Sequence, residues 1–311
     1  MVSNFSMDLD KLRIFYYIAK AGSLNRAAED LNVSQPSLTR SMQVLEHSLK
    51  TKLFMRHPKG LTLTHEGEIW FDHAKRAIAE LETARALVEE DSKIVKGNLK
   101  ITTTFGFAST VLFPYLTEFL KTYPNVNLSL ICDDTNLDLY KRGADVAIGP
   151  RWLHDPTITQ TYLTTRKLNI YASAKYLEEY GEPKTPQDLD NHKLIVFSLP
   201  NDYLPYSITK WLLTVGASPG IIRTPYMTVN STECLFQAAS QDLGLIALSN
   251  DSSYLKNSNL VQILNDLESP TTDIFISYPK NLKNIRRIRA LEGFLVDEFS
   301  LKQKVVKLAQ G

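Results

Sequence analysis

The chain has 311 residues, too many for one ordinary domain and suited to two or three. With 43% hydrophobic and 22% charged residues it has the balance of a soluble globular protein. Its net charge of +1 excludes a uniformly basic nucleic-acid binder, no run approaches the ~18 apolar residues of a membrane span, and two cysteines, Cys132 and Cys234, supply neither a disulfide framework nor a metal-site spacing. Residues Met1 to Ser6 lack the basic and apolar regions of a signal peptide, so a reducing cytoplasm is the expected compartment.

The first 65 residues read as short helices. Leu9, Leu12, Phe15, Tyr16 and Ala19 recur at helical spacing, Gly22 ends that helix and Ser23 can cap the next, in which Leu24, Ala27, Ala28 and Leu31 repeat the pattern. Asn32-Val33 forms a tight turn, with Asn suited to a left-handed backbone. Ser34 is a good N-cap and Pro36 sits where a missing N–H costs nothing. Leu38, Met42, Leu45 and Leu49 mark the buried face of the third helix, with Gln35, Ser37, Thr39, Arg40 and Gln43 on the opposite face. From Leu53 to Thr64 two strand-like runs flank Pro58-Lys59-Gly60, which predicts a β-hairpin, the wing of a winged helix-turn-helix. Between Ser34 and His65 the cations Arg40, Lys50, Lys52, Arg56 and Lys59 face a single acid, Glu46, so the charge needed for phosphate contact is concentrated here.

A long helix is predicted from about Glu66 to Ile94. Trp70, Ala74, Ala77, Leu81, Ala84 and Val88 are spaced 4, 3, 4, 3, 4, either a coiled-coil seam for a dimer or a face packed on the helix's own domain. Gly97 breaks the helix and the period changes. Alternation at Leu99, Ile101 and Thr103, then strands at Val126–Ile131, Asp145–Ile148, Leu168–Ala172, Leu194–Phe197, Leu245–Leu248 and Ile274–Tyr278, interleave with helices around Leu112–Phe119, Leu235–Asp242 and Ile285–Phe299. This is an α/β pattern that predicts a largely parallel sheet, with a loosely ordered basic tail over Lys302–Gly311.

Enzyme signatures fail: the chain has no GxSxG, P-loop, HExxH or GxGxxG, and His65 and His73 are wrongly spaced for a zinc pair. No catalytic residue, metal or cofactor is expected. Asp133 and Asp134 at a strand end could suggest acid chemistry, and a polar loop explains them as well.

The chain resembles the bacterial LysR-type transcriptional regulators. Leu12-Arg13-Ile14-Phe15, Gly22-Ser23-Leu24, Ala27-Ala28, Leu31-Asn32-Val33-Ser34-Gln35-Pro36-Ser37-Leu38-Thr39-Arg40, Leu45-Glu46, Leu53-Phe54-Met55-Arg56 and Leu61-Thr62-Leu63-Thr64 with Gly67 stand in that family's order and spacing. Gly143 to Gly149, Ala172 to Leu177 and Thr185 to Leu189 with His192 extend the likeness over nearly the whole chain. Numbered from Met7 the motif falls where family members usually have it, so residues 1–6 are expected to be an extension or a different start.

The resemblance implies an α+β multidomain protein: a winged helix-turn-helix over residues 1–65, a linker and dimerisation helix over 66–96, and a two-lobed, periplasmic-binding-protein-like effector domain over 97–301. Lobe I would comprise 97–165 and 271–301, and lobe II 166–270. It places Ser34, Gln35, Pro36, Ser37, Thr39, Arg40 and Gln43 on duplex DNA, with Arg56 and Lys59 reaching from the wing to the backbone or minor groove. Gln suits adenine and Arg guanine. The other readings stay open: Ser34 as a cap only, Arg40 paired with Glu46.

A small organic effector is expected at the carboxyl ends of the strands, near Thr103, Thr104, Phe105, Gly149, Arg151, Phe197, Ser198, Asn230, Ser231 and Thr232; as caps, these Ser and Thr residues need no ligand. A homodimer or homotetramer and RNA polymerase are the other expected partners. The rival reading is a DNA-binding repressor whose C-terminal domain serves only for oligomerisation. The two cysteines do not match the pair of peroxide-sensing relatives and are expected to be buried and inert.

Overall fold

A computed structural model of the chain describes residues 9–57, 60–88, 94–134, 139, 143–151, 155–198 and 210–309. They divide into two compact units, Met1–Asp91 and Ser92–Gly311.

The N-terminal unit is built from α1 (Leu9–Ala21), α2 (Leu24–Leu31), α3 (Gln35–Leu49), the antiparallel hairpin β1 (Phe54–His57) and β2 (Gly60–Leu63), and α4 (His65–Val88). α2 and α3 bury the stripes their spacing marks, whereas in α1 Leu9 is exposed and Ile18, outside the predicted row, is buried with Leu12 and Phe15; Phe15, Ile18, Ala27 and Leu38 are completely shielded from solvent. Phe15 lies at the centre, its ring 5.3 Å from that of Phe54 at the base of the wing. Asn32 takes the expected left-handed conformation between α2 and α3 (φ 53°). Ser23 and Ser34 occupy the N-cap positions with extended backbones, yet neither side chain makes a capping hydrogen bond.

The hairpin is tied down at both ends. The Leu61 N–H donates to the Gly22 carbonyl, and the Thr64 hydroxyl donates to the Lys52 carbonyl while accepting from the Gly67 N–H, capping α4. A Cβ at Gly67 would stand 2.1 Å from the Leu53 carbonyl oxygen, so only glycine lets α4 seat against the strand entering the wing.

The first turns of α4 pack on α1, with Phe71 stacked on Tyr16 at 5.5 Å. The expected dimer seam is therefore divided. Ala74 is fully buried in the unit's own core, and Trp70 and Ala77 pack against it. Ala74 is thus withdrawn from any partner, while Leu81 and Ala84 are exposed and the Val88 side chain lies outside the described residues. Helix α4 ends at Val88 among the described residues, and Ile94 is not helical.

The second unit is one nine-stranded sheet flanked by helices. Its elements are β3 (Gly97–Thr103), α5 (Phe105–Phe107) running through a π-turn at Ala108–Leu112 into α6 (Phe113–Thr122), β4 (Val126–Cys132), β5 (Val146–Pro150), β6 (Ile158–Ser173), α7 (Ala174–Tyr180), β7 (Leu194–Phe197), α8 (Trp211–Thr214), β8 (Met227–Val229), α9 (Thr232–Ser240), β9 (Leu245–Ser249), β10 (Leu260–Ile263), β11 (Thr271–Pro279) and α10 (Arg286–Ala309). The strand order is β4-β3-β5-β11-β6-β9-β7-β8, with β10 on β6.

The sheet is mixed where a largely parallel one is predicted. β3, β4 and β5 are parallel to one another, as are β7, β8 and β9, but β11 runs antiparallel to both β5 and β6. The 16-residue β6 accounts for this: Ile158–Lys167 pair with β11, and from Leu168 the strand pairs with β9 and then β10. The sheet passes from one lobe to the other at that change of partner, where the Leu168 N–H also meets the Pro270 carbonyl.

Two further expectations are corrected. The alternation predicted for β3 holds at Leu99 and Ile101 around a half-buried Lys100 but gives way at the strand's end, where Thr102 is buried along with Ile101 and Thr103. The C-terminal tail is not loose up to residue 309: α10 continues to Ala309, carried by the apolar row Ile288, Leu291, Leu295 and Phe299 that it buries upstream.

Candidate functional site

The first candidate surface is one face of α3. Leu38, Met42 and Leu45 face inward, which rotates Gln35, Pro36, Ser37, Arg40 and Gln43 to the exposed side, with Thr39 at its margin. Arg40 makes no ion pair among the described residues, because Glu46 is engaged elsewhere. Thr39 donates to the Gln35 carbonyl (3.1 Å) and accepts from the Gln35 amide (3.4 Å). With the Ser34 hydroxyl uncommitted to capping, the first-turn N–H groups of α3 stay available, as a phosphate contact requires. On the wing, Lys59 and the Arg56 side chain lie outside the described residues.

Glu46 braces this surface. Its carboxylate accepts from Lys52 (2.7 Å) and from the Leu53 and Phe54 N–H groups (2.9 and 3.3 Å), joining α3 to the first strand of the wing. Burial alone would raise its pKa, but the Lys52 ammonium and the two backbone donors outweigh it and hold the carboxyl below its ordinary 4.5. The carboxylate therefore contributes stability above the unfolded-state value, and that contribution is lost as pH falls through the lower folded-state value. Glu46→Gln keeps an acceptor but loses the charge, and is expected to cost the N-terminal unit about 1 kcal/mol near neutrality. The gap between wild type and variant should close below pH ~4.5. Denaturant unfolding at pH 7 and at pH 4 checks it: a gap that does not narrow would show that the charge contributes nothing.

The second candidate surface is a cavity of about 190 Å³ between the two lobes of the C-terminal unit. Of the expected residues, Thr104, Gly149, Phe197 and Thr232 line it. The others do not. Thr103 is fully buried and its hydroxyl donates to the Ile148 carbonyl at 2.7 Å. Phe105 points to solvent, 59% exposed, as its N–H binds Asp134. Arg151 is exposed and lies over the Phe275 ring at 5.9 Å. Ser198 and Asn230 are absent from the lining, and Ser231 caps α9 by accepting from the Cys234 N–H. The cap-only reading thus holds for Ser231, whereas Thr104 both caps, accepting from the Phe107 N–H, and lines the cavity.

Sequence reasoning missed Arg166, Asp134, Phe107 and the apolar wall Leu168, Ile195, Val196, Leu235 and Ala247. Arg166 had a signal: it is a charge in a strand, one residue past the expected lobe crossing. The apolar wall had none, since such residues read as core. Thr232 approaches Gly106 so closely that a Cβ there would stand 2.6 Å from its hydroxyl, so the lobes meet across a glycine. Burial raises the Asp134 pKa above its ordinary value, against the opposing pull of the Phe105 N–H.

The cysteines are not both buried. Cys234 is exposed, and Cys132 is half-buried, with burial and then Asp134 raising its thiol pKa. No cluster that could hold a metal ion occurs among the described residues, and no helix among them is long and apolar enough to cross a membrane.

Two family models match these two units. The one described as bacterial regulatory helix-turn-helix protein, lysR family, covers residues 9–68, and the one described as LysR substrate binding domain covers 93–300. The chain belongs to the LysR family. Among relatives of the LysR protein, the HTH-type transcriptional regulator CrgA of Neisseria meningitidis serogroup C is 27% identical over 294 residues, 93% of this chain and 96% of CrgA. The solved structure of Neisseria meningitidis CrgA superposes with a TM-score of 0.58 at 25% identity, covering 94% of this chain and 99% of that one. Full-length CbnR complexed with its target DNA gives 0.63 at 19% identity, covering 94% and 100%, a likeness of fold. This LysR protein is a DNA-binding transcriptional regulator, not an enzyme.

Proposed function

We propose that the protein is an effector-controlled regulator that reads duplex DNA with α3 and senses a small organic molecule in the interlobe cavity. Arg40, Gln35 and Gln43 contact base edges, Ser34, Pro36, Ser37 and Thr39 lie along the adjoining phosphates, and Arg56 and Lys59 extend the contact from the wing. The observation that carries this reading is the division of α3 into a sealed apolar stripe and an exposed polar face whose arginine has no protein counter-ion among the described residues.

The open cavity favours effector sensing over a C-terminal unit used only for oligomerisation. Ligand would shift the balance between two arrangements of the lobes and so alter how coupled protomers hold DNA. A homodimer or homotetramer is expected because one α3 reads only a half-site, with Leu81 and Ala84 as the exposed remainder of the α4 seam. The cytoplasm is its compartment, and RNA polymerase the partner through which DNA binding acts on transcription.

The test is selection of bound duplexes from a random pool by the purified full chain. Enrichment of an inverted repeat with half-sites about one helical turn or more apart is the expected result. Absence of any enriched motif, with and without candidate small molecules, would end the reading.

A further inference from the structure

The cavity's walls and its charges together define what it selects, an inference that rests on the effector reading above. Among the described residues, Arg166 is the only cation in the lining. It lies on β6 opposite Thr272, two residues before the strand changes lobes. Its Nε donates to both oxygens of Asp251 (3.0 and 3.2 Å) and its Nη2 lies 2.9 Å from Oδ1. The Phe107 ring lies under the guanidinium at 5.2 Å. Asp251 itself is not part of the lining. The aspartate thus clamps one edge of the fork from outside the cavity. Nη1 has no hydrogen-bond partner among the described residues, so Nη1 and the second Nη2 hydrogen form an intact donor edge for an occupant.

We infer that the cavity takes a small monocarboxylate with an apolar body, its carboxylate bound to the free edge of Arg166. A guanidinium edge matches the two oxygens of a carboxylate in a way no neutral group does. Leu168, Ile195, Val196 and Leu235 offer the rest of the ligand only apolar contact. The cavity, about 190 Å³, suits a small ligand. Asp134 on the same lining repels a second carboxylate.

The experiment is calorimetric titration of the full chain with two matched series: 3-methylbutanoate, 3-methylbutanamide and glutarate; and benzoate, benzamide and phthalate. In at least one series the monocarboxylate should bind about tenfold or more tightly than both its amide and the dicarboxylate, at constant salt. Arg166→Gln alone strands the half-buried Asp251, so the double variant R166Q/D251N, which removes both charges together, is the deciding one. It should fold and lose the preference for acid over amide.

Equal binding of acid and amide, a preference that survives in the double variant, or no binding by either acid overturns the assignment. Repeating the titrations with the selected duplex present separates the two readings. An amide that binds and changes DNA occupancy sinks the carboxylate assignment and spares the effector reading. An acid that binds through Arg166 without changing DNA occupancy does the reverse.

Discussion

Arg40→Ala is expected to lower affinity for the selected duplex by between ~30-fold and ~10⁴-fold. A good arginine–base contact discriminates by about 1–3 kcal/mol. A two-fold arrangement of recognition helices uses it twice, giving about 2–6 kcal/mol at about 1.4 kcal/mol per decade. The side chain is exposed on α3 and Glu46 is held by Lys52 and the wing, so its loss should leave the fold intact. Fluorescence anisotropy against the selected duplex and a scrambled one, at several salt concentrations, distinguishes the roles. A base-reading arginine reduces specific binding far more than non-specific binding, whereas a phosphate contact weakens both and flattens the salt dependence. A variant with unchanged affinity and sequence preference would remove Arg40 from the interface. Lysine should rescue little, since it lacks the planar fork.

Phe15→Ala should cost the N-terminal unit about 3–5 kcal/mol. Phe15 is wholly buried, packs on Phe54, and sits where α1 meets the wing's base and the rest of the core. In a domain of this size each kcal/mol moves the midpoint by roughly 4–8 °C, so scanning calorimetry should find its transition lowered by more than ~10 °C. The C-terminal unit has its own core and should keep its transition, making the loss of DNA binding a local event. A change below ~1 kcal/mol, or an equal fall in both transitions, would contradict this placing of the N-terminal core.

The DNA-binding unit was legible because its determinants are local. Apolar spacing set the faces of α2 and α3, Asn32 supplied the left-handed turn, and Pro58-Lys59-Gly60 lay between two strand runs that do form the hairpin. The α4 seam was ambiguous because an a/d pattern looks the same whether a partner or the helix's own domain covers it, and the unit's own core takes Ala74. In the C-terminal unit most strands were visible, except β8, β10 and the first part of β6, but their directions were not. Antiparallel pairing of β11 with β5 and β6 joins residues more than a hundred positions apart, and no local pattern encodes it. The cavity was half legible for a similar reason. Thr104 and Thr232 follow or begin elements where a cleft is expected, whereas Ile195 and Leu235, members of one apolar core, line it only through tertiary packing.

The continuous β6 has a mechanical consequence. At ~3.3 Å per residue its 16 residues form a beam about 50 Å long built into both lobes, with β11 fastened along half of it. Such a frame resists the wide swing of a jaw on a flexible pivot, because opening it would tear ladder hydrogen bonds on either side of Leu168. The compliant mode left to it is torsion about the beam. A bound molecule would therefore signal by a small, stiff twist of one lobe against the other, and that twist would grow into larger displacements only at the far ends of the molecule.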